Sequence, residues 1–192
     1  HGHLFVDRVK MVEPSELRPA VVVTSASRGD DRSLVPSKGR NTLDATLSLS
    51  QVVNQKMQFA VVTDLVAQQG YLGLPFHRVY FNDGSVHIEN MPSTRFKFPL
   101  GFRFNYFAGD KVIFRTYYRY YTDSWSVSSH TASLEVPVKL TSFVSVSPFY
   151  RYYTQTAANS FAPYGTHTAA DQYYTSNYDY SAFNANYAGI NF

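Results

Sequence analysis

Six histidines, at positions 1, 3, 77, 87, 130 and 167, are the first places to look for a metal. His1 and His3 sit close together and could hold a cation weakly, but the spacing of the six gives no closed ligand set. Asp123, Ser124 and His130 bracket one short segment and contain the residue types of a hydrolytic triad. No motif marks Ser124 as a nucleophile, so the three read as polar loop residues. The chain has no cysteine, which removes disulfides and thiolate metal sites together. The tripeptide RGD at 28–30 reads as a coincidence. The expectation is a protein that is not an enzyme and carries no cofactor.

The remaining chemistry lies in charged side chains that alternate with apolar ones. In RFKFPLGFRFNY, Phe96, Phe98, Leu100, Phe102, Phe104 and Tyr106 fall on one face; Lys97, Pro99, Gly101, Arg103 and Asn105 fall on the other. Strict period-2 alternation means a β-strand, since a helix would wind both sets around its whole circumference. NTLDATLSLS sets Leu43, Ala45, Leu47 and Leu49 against Asp44, Thr46 and Ser48. MQFAVVTDLVA sets Met57, Phe59, Val61 and Leu65 against Gln58 and Asp64. From residue 111, Val112, Phe114, Tyr118 and Tyr120 oppose Arg115, Arg119 and Asp123; from residue 130, Ala132, Leu134, Val136 and Val138 oppose Ser133, Glu135 and Lys139. From residue 143, Val144, Val146, Tyr150 and Tyr152 oppose Ser145, Ser147, Arg151 and Gln155. YSAFNANYAGINF is weaker: its parity slips between Tyr187 and Ile190, which suggests a bulge at Gly189.

These strands need an apolar surrounding on one side and water on the other. Charged residues make up only 16% of the 192-residue chain, below the quarter usual in soluble domains. No window approaches the ~20 apolar residues of a spanning helix, whereas a spanning strand needs only ~9–11. Connections alternate in length: turns near 54–56, 108–110 and 141–142, against a loop at 68–94, a medium one at 124–129 and another long one at 156–177. Outer-membrane barrels place tight turns on the periplasmic side and long loops outside. The fold expected is therefore all-β, an antiparallel up-and-down transmembrane β-barrel of which seven to ten strands are visible. Residues 41–192 form its wall, with external loops at 68–94 and 156–177. Residues 1–40 contribute one or two poorly assigned strands, HLFVDRVKMV and AVVVTSAS. The opening HGHLFVDRVK reads as a processed or truncated start. A soluble β-sandwich with a tyrosine-rich face is the alternative.

The pentapeptide YRYYT occurs at 118–122 and again at 150–154. On the barrel reading Tyr118, Tyr120, Tyr150 and Tyr152 form an aromatic girdle at headgroup level. Lys97, Arg103, Arg115, Arg119, Asp123, Glu135 and Arg151 look into the interior. Two readings of that interior stay open: a pore preferring anionic solutes, or an ion-pair network that plugs a narrow barrel. The segment YLGLPFHRVYF is apolar for a loop, so Tyr71, Leu72, Leu74, Phe76 and Tyr80 either dock a partner or fold over the barrel mouth. The net charge of +3 is scattered, which gives nucleic acid no footprint.

GYLGLPFHRVYF (70–81), YYRYYTDSWSVSSHTASLEV (117–136) and PFYRYYTQTAANSF (148–161) resemble a family of bacterial outer-membrane β-barrels known only as a domain of unknown function. DRVKMVEP (7–14) looks like that family's first strand. The resemblance covers about residues 44–192 and breaks down between Pro14 and Arg40. Members are longer, which implies further strands, and their genes often lie near those for a flavin transferase and a thioredoxin-like protein. What it implies is a place in the outer membrane of a Gram-negative bacterium, in contact with outer-membrane lipid and, during biogenesis, with the barrel-assembly machinery. The function expected is a structural or scaffold subunit of an envelope complex with protein partners, or alternatively a narrow, porin-like channel.

Overall fold

The structure is a computed structural model and describes residues 2–10, 37–75 and 77–192. Its elements are β1 (Gly2–Lys10), β2 (Ser37–Asn54), β3 (Met57–Gly70), β4 (Arg78–Tyr80), β5 (Val86–Ile88), β6 (Thr94–Ala108), β7 (Val112–Asp123), β8 (Ser128–Glu135), β9 (Val138–Lys139), β10 (Ser145–Gln155) and β11 (Phe183–Asn191). A 3₁₀ turn at Tyr178–Tyr180 precedes β11. The chain is all-β, and no described helix is long and apolar enough to cross a membrane.

Nine strands make one antiparallel sheet in the order β1-β2-β3-β6-β7-β8-β10-β11, with β9 pairing β10 and β7. Sequence neighbours are spatial neighbours apart from the β4-β5 hairpin, which forms a sheet of its own. Among the described residues, β1 pairs only with β2 and β11 only with β10. Local chemistry fixes the turns. Asn54 Oδ1 accepts from the Lys56 amide at 2.8 Å, and Gly109 takes a φ of 78° that residues with a Cβ resist. Pro137 has no N–H to give a ladder, and it divides the expected 130–140 strand into β8 and β9.

The register confirms the face assignments strand by strand. Leu49 lies opposite Val61, Val61 opposite Phe102, Phe102 opposite Tyr118, Tyr118 opposite Ala132 and Ala132 opposite Tyr152. Across the other face run Arg103, Tyr117, Ser133, Arg151 and Tyr187. Only in β11 does the expectation fail. Its pairing with β10 is continuous from Phe183 to Asn191, so no bulge stands at Gly189. Gly189 lies opposite Phe149, and a Cβ there would come within 2.6 Å of the Phe149 ring. The apparent slip in parity arises because Tyr187 and Phe183 are aromatic residues on the polar side, packed on Phe149 and Tyr153 at 5.2 and 5.5 Å.

The buried core lies at one end of the sheet, not between layers. Val79, Phe81, Met91, Trp125, Val127 and Ala158 are buried, all in the connections and hairpin beyond the strand ends. The 68–94 and 156–177 segments are therefore not open loops. β3 runs on to Gly70, the β4-β5 hairpin follows, and backbone bridges Phe81–His167 and Asn90–Tyr174 join one segment to the other. Three-residue strands are too short to show a period of two, which is why they read as loop. AVVVTSAS and RGD lie outside the described residues.

The polar face and its cap as candidate functional site

The 71–93 and 156–182 segments, joined to each other beyond the strand ends, form a cap that one charged cluster rivets to the sheet. Arg95, at the start of β6, donates through Nε to Asp123 Oδ2 at 2.9 Å and contacts the same oxygen through Nη2. Tyr121 Oη donates to that oxygen at 2.8 Å. The other carboxylate oxygen of Asp123 accepts the amides of Trp125 and Val127, which closes the turn between β7 and β8. The Asp123 side chain is fully buried, a position tenable only because charge and every lone pair are matched. The guanidinium of Arg95 also lies 4.1 Å from the Trp125 ring centre and 5.4 Å from that of Tyr180. Trp125 Nε1 donates to the Thr94 carbonyl.

A second polar centre holds the cap together. Glu89 is 3% exposed; its carboxylate accepts from the Leu74 amide and from the Thr175 hydroxyl. Buried His167 places Nδ1 3.0 Å from Asp171 and Nε2 3.0 Å from the Thr175 carbonyl. Burial, reinforced by the Glu89 charge, pushes the Tyr71 hydroxyl above its ordinary value. The Asp171 carboxyl is held below its ordinary value, chiefly by the Thr168 amide and then by His167.

Beneath the cap, the polar face carries two recesses. One, of about 280 Å³, is lined by Arg95, Arg119, Tyr121, Thr131, Tyr153 and Gln155 among others. The next, of about 330 Å³, is lined by Arg103, Arg115, Tyr117, Ser133, Glu135 and Arg151 among others. Lys97, Arg103, Arg115, Arg119, Asp123, Glu135 and Arg151 thus share one face. Arg115 pairs with Glu135 at 3.5 Å, while Asp123 belongs to the cap cluster and not to an open interior.

On the opposite face Tyr118, Tyr120, Tyr150 and Tyr152 come together around β8. Tyr118 Oη lies 2.7 Å from His130 Nδ1, and Tyr150 Oη donates to Asn186 at 2.7 Å. His130 therefore faces away from Asp123, and Ser124 Oγ is taken by the Phe96 amide, so the triad residues do not assemble. Among the described residues no three His, Asp or Glu side chains form a metal-binding group; the side chain of His3 lies outside them, as does His1. Of the five residues in the segment expected to dock a partner or fold over the barrel mouth, four are described. Tyr71 and Leu72 are half-buried, Tyr80 packs on Tyr164 at 4.8 Å, and Leu74 is exposed; Phe76 lies outside the described residues. The segment folds over the strand ends because its apolar residues build the cap. Sequence reading gave no role to Arg95, Glu89 and Gln155, which meet Asp123, Thr175 and Asp179 from far along the chain, nor to His167, whose partners Asp171 and Thr175 are near but fall in no recognisable motif.

The match to a described family spans residues 6–192. The chain belongs to the DUF3570 family, described as "Protein of unknown function". The match extends the resemblance back across residues 14–40, where the quoted strings had lost it. No curated protein and no solved structure matches the chain.

Proposed function

We propose that this DUF3570 protein is an integral outer-membrane β-barrel of a Gram-negative bacterium, acting as a structural or scaffold subunit of an envelope complex. One observation carries the reading: the apolar side of the sheet is left uncovered. Leu47 is 71% exposed and Phe102 43%, while Asp44 and Thr46, between Leu43 and Leu47, are half-buried. A water-soluble sandwich covers such a face with a second sheet about 10 Å away, and leaving it wet costs ~25 cal/mol per Å². Hydrocarbon removes that cost, and the Tyr118–His130 and Tyr150–Asn186 pairs supply the amphipathic rim suited to a headgroup region. The folded cap supports a scaffold role, since it presents Leu74, Tyr164 and Tyr178 outward on a framework fixed to the strands. The arginines of the polar face favour the second reading, a narrow channel.

Fractionation of a Gram-negative host expressing the exported protein tests the location. Recovery with outer-membrane markers, extractable only by detergent, is expected; recovery in the soluble fraction overturns the reading. Planar bilayers separate the two roles, with a silent membrane for the scaffold and discrete, salt-dependent openings for the channel.

A further inference from the structure

From β6 to β10 the polar face carries more positive charge than it can pair. Its carboxylates in these strands are Asp123 and Glu135, and each is taken, by Arg95 and Arg115 respectively. Arg103, Arg119 and Arg151 have no carboxylate within salt-bridge reach among the described residues, and Arg103 has only the Tyr117 ring, 5.9 Å away. The register concentrates them. Arg103 and Arg151 lie in one row, separated by Tyr117 and Ser133, and Arg119 lies two residues along β7 from Tyr117. Three strand spacings put the Arg103 and Arg151 backbones roughly 14 Å apart. Arg103 and Arg151 both line the same recess of about 330 Å³. Its floor is Tyr117 and Ser133, whose hydroxyls are absent from any hydrogen bond among the described residues.

We infer that this recess is a binding site for a small, multiply charged oxyanion of the phosphate type, clamped between Arg103 and Arg151. The guanidinium fork presents two parallel N–H donors to a pair of oxygens, a geometry an ammonium cannot copy. Arg119 adds field from the adjacent row, and the Arg115–Glu135 pair closes the end of the recess next to Arg115. Like charges gathered on one face repel, so an anion that neutralises them binds more tightly than the same anion on scattered arginines. The site rests on the polar-face geometry and not on what covers the opposite face, so it stands for scaffold and channel alike.

The test is calorimetric titration of the full chain in detergent with inorganic phosphate, at constant ionic strength against chloride. Saturable binding is expected, weakened at least tenfold in Arg103→Gln and in Arg151→Gln. Arg151→Lys, which keeps the charge and loses the fork, is expected to weaken binding by a similar amount. Lys139→Gln, outside the recess, binds like the unaltered chain, and far-UV circular dichroism verifies that each variant keeps its β signature. No saturable heat, or either glutamine variant binding as tightly as the unaltered chain, overturns the inference. A soluble protein that binds phosphate would sink the membrane reading and leave the site; a membrane-embedded protein that ignores phosphate does the reverse.

Discussion

Val79 and Leu47 are both aliphatic residues on β-strands, yet Val79 has no exposure at all and Leu47 is 71% exposed. The first belongs to the cap, where apolar side chains pack inward and the buried carboxylates of Asp123 and Glu89 are hydrogen-bonded, as in any water-soluble fold. The second belongs to the nine-stranded sheet, where apolar side chains of β2, β3 and β6 such as Leu43, Leu65 and Phe102 point out uncovered. A chain folding in one solvent does not follow both rules within a hundred residues. The proposed membrane setting accounts for the pair, with water around the cap and hydrocarbon around the strands.

Trp125→Ala is the heaviest blow to the cap side of that comparison. It removes the ring under Arg95 and the bond to Thr94, and large-to-small core changes of this kind cost about 3–5 kcal/mol. Limited proteolysis should then cut the 71–93 and 156–182 segments while the sheet survives. Leu47→Arg strikes the sheet side. In lipid vesicles, denaturant titration is expected to show a loss of about 2–4 kcal/mol for it, against within about 0.5 for Ser48→Arg on the opposite face. Equal effects at the two positions would erase the distinction between faces. Gly189→Ala sharpens the comparison at the far edge, where the Phe149 ring already fills the Cβ position. Overpacking costs about 1–3 kcal/mol, and Phe149→Leu in the same chain should restore most of it.

The smallest effect is a titration in the cap. Asp171 has its carboxyl held below the ordinary value of 3.8 by the Thr168 amide and His167. A depressed carboxylate adds stability above the unfolded value and loses it as pH falls through the folded one. The Thr168 amide resonance is therefore expected to shift below about pH 4 and to stay put in Asp171→Asn.

How much of this was readable follows the range of the interactions. The faces of β2, β3, β6 and β7 were legible because alternation is local, and ten residues such as 96–105 repeat it without a break. Turn chemistry was legible at Gly109 for the same reason. The β4-β5 hairpin was not, because Arg78–Tyr80 and Val86–Ile88 are too brief to alternate. Nor was the Arg95–Asp123 pair, whose members stand 28 residues apart and meet only once two strands are in register. Phe183 and Tyr187 misled the reading of β11 since aromatics sit on its polar side.

The chain's lack of cysteine permits a clean measurement of the central claim. Single cysteines replacing residues 43 to 49 in turn, spin-labelled in lipid vesicles, report collision with oxygen dissolved in the bilayer or with a water-soluble nickel chelate. Labels at Leu43, Ala45, Leu47 and Leu49 are predicted to favour oxygen, and those at Asp44, Thr46 and Ser48 the chelate. A flat profile, or one of opposite phase, contradicts the account.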